Sequence, residues 1–256
     1  MIKMILGKRK QYFEIQDFPW CPKTIRDGVT DYLAFSLKIA PLYKAAIPAL
    51  ENLFVGEKQW IDLCAGGGGG SIPLFLEMKK VRPDLNLVLT DLYPNQGEKK
   101  FPPAVHIHPE PVDATQVPVN MIGVRTLFTS FHHLPDSLAK SVLADAFHKK
   151  QKIAVFEFTE RNLYCLLMTF PTLFFSFLTM ILVRPWSLAR FFWTYILPAI
   201  PIVATVDIIL SSFRTRTTEE LELMVSDLKA PDYQWEIGQW PTLFGFKITY
   251  LIGKKK

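Results

Sequence analysis

The sequence predicts an α/β protein built on a doubly wound, mostly parallel seven-stranded sheet, with a C-terminal antiparallel strand pair and an apolar helical insert. Three observations predict it. Five short apolar runs alternate with helix-like stretches between residues 58 and 158, the pattern of successive βαβ units. Residues 217–256 then read as one helix and two further strands. Between these parts, over 163–212, the only charged residues are Arg184, Arg190 and Asp207.

Taken in order, the expected strands are 59–63, 86–90, 104–108, 124–130 and 153–158. Helices are expected at 71–80 and 135–149, the second opened by Asp136 and closed by basic residues that suit a negative helix end. Residues 22–53 read as one or two amphipathic helices, either lying over the mouth of the sheet or packed on its edge. Thr217 and Glu220 are spaced as a capping box before a helix over 221–228. Strands 233–239 and 244–252 follow, with the turn placed at Trp240 and Pro241. The expected domains are a helical cap (1–57), a core (58–162), the insert (163–212) and the rest of the core (213–256).

Within the insert, residues 164–183 form a run of 20 without a charge. As a helix it would be about 30 Å long, the thickness of a bilayer's hydrocarbon layer. The next run, 191–212, is interrupted by Pro198 and Pro201, and Asp207 would cost about 2.5–3.5 kcal/mol at the bilayer centre. Arg184, Pro185, Trp186 and Arg190 make a polar, aromatic break of the kind found at headgroup level. A two-span hairpin, a re-entrant or interfacial helix pair, and an apolar lid on a water-soluble domain all fit this pattern.

Composition excludes several classes. The chain has 256 residues, 49% hydrophobic and 21% charged, which is neither disordered nor fibrous. Cys21, Cys64 and Cys165 are odd in number and far apart, so neither a disulfide framework nor a metal site is expected, and a reducing compartment is. The net charge is +5, but the basic clusters Lys8-Arg9-Lys10 and Lys254-Lys255-Lys256 lie at the two ends. No basic stripe carries interleaved aromatics, so no nucleic-acid partner is expected. The apolar start before Gly7 is too short, and in the wrong charge order, for a secretory signal.

The glycine run 66–70 follows the first strand and opens a helix, where the backbone turns sharply and helix N–H groups face a ligand. A phosphate loop would end Gly-Lys-Ser/Thr, and Gly70-Ser71 lacks the lysine; a dinucleotide fingerprint needs no carboxylate inside the first strand. Here Asp62 stands at the end of that strand and Asp91 at the end of the second, where a carboxylate accepts bonds from ribose hydroxyls. A nucleoside is implied. Each has a plainer role: Asp62 as a cap of the loop, Asp91 as a solvated turn residue.

At these residues the chain resembles the class I S-adenosylmethionine-dependent methyltransferases, over most of its length outside the insert. Asp62-Leu63-Cys64-Ala65-Gly66-Gly67-Gly68 is similar to that family's glycine motif, with Cys64 where the family often has glycine. Val112-Asp113-Ala114 looks like the adenine-contacting segment after the third strand, although Asp113 would serve equally as a turn residue. Thr129 to Asp136 looks like the fourth-strand motif. The resemblance implies a Rossmann-like methyltransferase fold and S-adenosyl-L-methionine as cofactor. It places Asp62, Cys64, Ala65, Gly66, Gly67, Gly68, Asp91, Leu92, Asp113, Ala114 and Ser130 around the cofactor.

His132 and His133 are candidate catalytic bases, since a histidine near neutrality takes a proton from an oxygen or nitrogen nucleophile. The alternative is that they shape the cofactor pocket, and transfer from a sulfonium depends chiefly on holding the nucleophile in line. Glu157 and Glu160 flank the end of the fifth strand and either face substrate, or Glu160 and Arg161 form a polar collar below the insert. Asp207 is either a functional residue or a helix end. The expected activity is methyl transfer to a lipophilic or membrane-associated acceptor at the cytoplasmic face of a membrane. The rivals are a soluble small-molecule methyltransferase with the insert as lid or dimer interface, and a non-catalytic membrane scaffold.

Overall fold

A computed structural model describes residues 5–40, 42–94 and 101–256, with Phe244 described by its backbone alone. The first four residues of the apolar start lie outside the described residues. Helices are α1 (Lys23–Ile39), α2 (Ile47–Leu53), α3 (Ser71–Val81), α4 (Asp136–His148), α5 (Leu163–Thr179), α6 (Leu188–Phe191), α7 (Ala199–Arg214) and α8 (Thr218–Met224). Strands are β1 (Gln59–Asp62), β2 (Asn86–Leu89), β3 (Val105–Ile107), β4 (Val124–Phe128), β5 (Ile153–Glu157), β6 (Tyr233–Pro241) and β7 (Lys247–Lys255). The chain divides into two compact units: Met1–Ala40 with Thr159–Arg216, and Pro41–Phe158 with Thr217–Lys256. Composition alone sets these boundaries elsewhere, at 57, 162 and 212.

The second unit is a seven-stranded sheet in the order β3-β2-β1-β4-β5-β7-β6, parallel from β3 to β5, with β7 antiparallel to both of its neighbours. The period-2 alternation of the strands separates two cores. Ile61, Leu127 and Val155 join Leu143, Ala146 and Leu251 in one cluster. The alternate positions Trp60, Phe128 and Phe156 carry an aromatic ladder, with Phe128 and Phe156 stacked at 5.0 Å and Trp60 tilted on Phe54 at 5.0 Å.

Two boundaries differ from the pattern. β4 ends at Phe128 because Thr129 turns into the left-handed region at φ 49°. Trp240 and Pro241 are strand residues, paired with Ile248 and Lys247, and the reversal lies beyond them, closed by Thr242 N–H to Phe246 O at 2.8 Å. Proline is tolerated there because β6 borders the sheet and ends at that position. The capping box at Thr217 and Glu220 is present, though α8 stops at Met224.

In the first unit Asn162 Oδ1 caps α5 by accepting from Cys165 N–H at 2.8 Å, and the helix continues through a 3-10 turn to Leu182. Its burial is inverted. Leu167, Phe170, Phe174 and Leu178 are exposed, whereas Cys165, Thr169 and Ser176 are buried. Further on, Leu197 is extended (φ −116°, ψ 106°), as a residue before proline prefers, and the path bends by 75° into α7. Pro198 is therefore the interruption; Pro201 sits in the first turn of α7, where a missing N–H costs nothing.

α7 packs against both α5 and α1. Gly28 of α1 permits the approach, since a Cβ there would lie 2.4 Å from Ile200 Cδ1. Asp207 serves structure: its carboxylate accepts Ile15 N–H (2.7 Å) and Gln16 N–H (3.2 Å), pinning the N-terminal segment to α7. Buried Arg214 meets Glu14 at 3.2 Å and Asp17 at 3.0 Å, and buried Arg190 meets Asp31 at 2.9 Å. Glu160 and Arg161 are buried, with Arg161 Nη1 donating to Thr215 O at 3.1 Å.

Candidate functional site

The site lies at the carboxyl ends of β1 to β4. Asp62, the last residue of β1, is buried and accepts hydrogen bonds from Ser71 Oγ (2.5 Å) and Thr126 Oγ1 (2.8 Å). Thr126 Oγ1 in turn accepts from the indole N–H of Trp60 at 2.7 Å. Asp62 thus ties the start of α3 to β1 and β4 through hydroxyls, and among the described residues no loop N–H caps it. Burial pushes its carboxyl up to about 7, against the two hydroxyl bonds.

The turn after β1 is built from left-handed residues: Cys64 (φ 52°), Gly66 (φ 52°) and Gly68 (φ 71°). Cys64 carries a side chain where the backbone favours glycine. A Cβ on Gly68 would lie 2.6 Å from Ile72 Cδ1 and one on Gly70 2.5 Å from Phe128 Cβ, so both are fixed by packing. Gly66 differs: a Cβ there would meet nothing within 4 Å. Its backbone faces open space.

Asp91 straps the three loops together. Its Oδ2 accepts from Gly66 N–H (2.9 Å) and its Oδ1 from Tyr93 N–H (3.0 Å), while its carbonyl accepts from Val112 N–H at 2.9 Å. The last bond brings Asp113 beside Asp91. Asp113 Oδ1 accepts from both the N–H (2.8 Å) and the hydroxyl (2.7 Å) of Thr115, a self-closing turn. Burial, then the charges of Asp91, Asp62 and Asp113, push the Cys64 thiol up to about 12. Ala65 and Gly67 complete the loop as half-buried residues, Leu92 is exposed and Ala114 buried.

After β4, Thr129 N–H donates to Phe156 O (2.9 Å) and its hydroxyl bonds the buried hydroxyl of Tyr43. Ser130 follows with its Oγ buried and without a hydrogen-bond partner among the described residues. His132 is held by Glu157 at two points: its backbone N–H donates to Oε1 (3.0 Å) and its Nδ1 lies 2.8 Å from Oε2. Its ring lies 4.3 Å from that of the half-buried His133. Tyr43, Ser71 and Thr126 are site residues that motif reading leaves out, while Glu157, which the sequence sets at the end of the fifth strand, is the partner of His132. Glu157 had a signal, as a carboxylate at a strand's carboxyl end, whereas Tyr43 had none.

No known protein family matches the sequence, and no curated protein is similar to it. Solved structures share its fold. The plantazolicin methyltransferase BpumL, in complex with SAH and a monoazolic desmethylPZN analogue, aligns with a TM-score of 0.55 at 10% identity, over 90% of this chain and 90% of its own. Human N-acetylserotonin methyltransferase in complex with SAM aligns with a TM-score of 0.49 at 12% identity, over 90% and 56%. LepI in complex with SAM aligns with a TM-score of 0.45 at 14% identity, over 81% and 46%. The chain spans about half the length of the last two. The fold is that of the class I S-adenosylmethionine-dependent methyltransferases.

Proposed function

We propose that the sheet unit binds S-adenosyl-L-methionine and transfers its methyl group to a lipophilic, membrane-associated acceptor at the cytoplasmic face. The observation that carries the cofactor reading is the strap formed by Asp91. It fixes the loops after β1, β2 and β3 in one cluster, leaves each of its oxygens further lone pairs, and stands next to the open backbone of Gly66. The unpartnered Ser130 Oγ and the second oxygen of Asp113 supply further polar groups. The SAH held by the plantazolicin methyltransferase, on the same fold, supports the same class of ligand.

When bound, the cofactor supplies an activated methyl on a sulfonium. Asp91 would hold the ribose hydroxyls, Asp113 and Ala114 the adenine, and the turn of Cys64, Ala65, Gly66, Gly67 and Gly68 the remaining backbone. The carboxylates of Asp91 and Asp113, with no Lys or Arg in the segments around them, favour a cationic ligand. His132, fixed by Glu157, and the adjacent His133 would orient the acceptor or take its proton. The lipophilic acceptor is supported by the exposed apolar face of α5, which follows directly in the chain from β5.

Calorimetric titration tests the reading. Wild type is expected to bind S-adenosyl-L-methionine, and Asp91→Ala to bind at least tenfold more weakly. Incubating membrane extracts with methyl-labelled cofactor should then place label in the organic-extractable fraction. Absence of binding by the wild type sinks the proposal, and label confined to the aqueous phase favours a soluble small-molecule acceptor.

A further inference from the structure

We propose that the first unit is a one-sided membrane anchor: α5 lies lengthwise in one leaflet of an anionic bilayer, α1 faces water, and the chain does not cross. This deepens the membrane part of the proposed function and is independent of the transfer chemistry.

The inverted burial of α5 is the first argument. In water the large side chains Phe170, Phe174 and Leu178 belong inside and Thr169 and Ser176 outside, yet they are placed the other way round. The inward hydroxyls are satisfied within the helix, Thr169 on Cys165 O (2.9 Å) and Ser176 on Leu173 O (2.8 Å). Small polar residues toward the neighbouring helix and bulky apolar ones outward is the arrangement used against lipid.

Charge is the second. Segments 1–40 and 159–216 hold twelve Lys and Arg against six Asp and Glu, while the rest of the chain holds seventeen against eighteen. Within the first unit, Glu14, Asp31 and Asp207 are engaged by Arg214, Arg190 and backbone N–H groups. Exposed basic residues bracket α5. Lys8 and Lys10 lie on the segment whose Leu6 N–H bonds Arg161 O just before the helix, and Arg184 follows its far end, stacked 4.8 Å from the ring of Trp186. That surplus complements anionic headgroups, and Trp186 suits the interface.

Two further observations exclude a two-span hairpin. α1, packed on α7, exposes Lys23, Asp27 and Lys38, charges that hydrocarbon does not accept. In addition, Arg190, in the link between α5 and α7, is bonded to Asp31, and eleven residues on from Asp31 the chain has reached Leu42 in the sheet unit. Residues 31–39 rise about 12 Å as a helix and the three steps to Leu42 span at most about 10 Å. A hairpin would require that stretch to recross about 30 Å of hydrocarbon.

The test uses the full chain with sealed vesicles of phosphatidylglycerol or phosphatidylcholine, floated on a density gradient. Wild type is expected to float with the anionic vesicles and several-fold less with the zwitterionic ones. The Phe174→Glu/Leu178→Glu variant, altered at two exposed positions, should keep its circular dichroism and lose at least tenfold in bound fraction. A Ser187→Cys variant bound to sealed vesicles should react with an impermeant maleimide as fully before detergent as after it. Labelling only after detergent overturns the one-sided arrangement and leaves membrane binding in place. Failure to float, or unchanged flotation of the double variant, overturns the anchor itself; cofactor titration of the same sample shows whether the transfer reading survives.

Discussion

Asp62 gives the sheet unit a pH-dependent stability that one substitution should remove. Its carboxyl is fully enclosed, hydrogen-bonded by Ser71 and Thr126, and raised to about 7. In the unfolded chain the same group titrates near 3.9, so folding raises it by about three units, an order-of-magnitude 4 kcal/mol at 1.36 kcal/mol per unit. The folded state holds the proton more tightly, so the contribution is fully present below about pH 4 and is lost as pH rises to about 7. Asp62→Asn keeps the shape, its oxygen accepting from Thr126 and its amide donating to Ser71. Urea unfolding of both proteins at pH 5, 6, 7 and 8 isolates the group, because every other titration is common to the pair. Between pH 5 and 7 the wild type should lose roughly 2–3 kcal/mol relative to the variant. Parallel stability profiles would refute the reasoning, since they would mean that Asp62 is ionised and at ease in its site.

Other consequences are as direct. Because the Cys64 thiol is pushed up to about 12, its thiolate fraction at pH 8 is about a thousandfold below that of an ordinary thiol. Maleimide or disulfide reagents should therefore modify native protein slowly, and fast stoichiometric labelling of Cys64 at pH 8 would contradict the burial that chiefly raises it. Arg125 is buried on β4 against Asp145 of α4, at 2.7 Å. Asp145→Ala leaves that cation without its partner and should cost about 3–5 kcal/mol, read as a thermal midpoint lower by about 10 °C; an unchanged midpoint would show that the charge finds water.

Much of the sheet was legible because a parallel strand covered on both faces is written as a short apolar run, as in Trp60-Ile61-Asp62-Leu63 or Ile153 to Glu157. The turn after β1 was legible for a related reason, since repeated left-handed backbone nearly always requires glycine. The end of β4 was not, because nothing local in Thr129 announces a left-handed conformation. That residue is held by Tyr43, 86 positions away in sequence. The Glu157 partner of His132 is hidden likewise, by a separation of 25 residues. In the insert, hydropathy gave the length of α5 but not its orientation, and so left the choice between hairpin, interfacial helices and lid open. Nor did it reveal that Asp207 serves the backbone of Ile15 and Gln16, because a long-range cap carries no sequence signature.

The pairing of the first forty residues with the insert also bears on how the chain is made. α1 leaves the ribosome early, and its partner α7 begins only at Ala199. At a synthesis rate of about 5–20 residues per second, the face of Ile25, Val29 and Tyr32 waits roughly 10–30 s for its cover. Through that interval the residues of strands β1 to β5 emerge, so this apolar face of α1 stays without its α7 cover until the insert has been made.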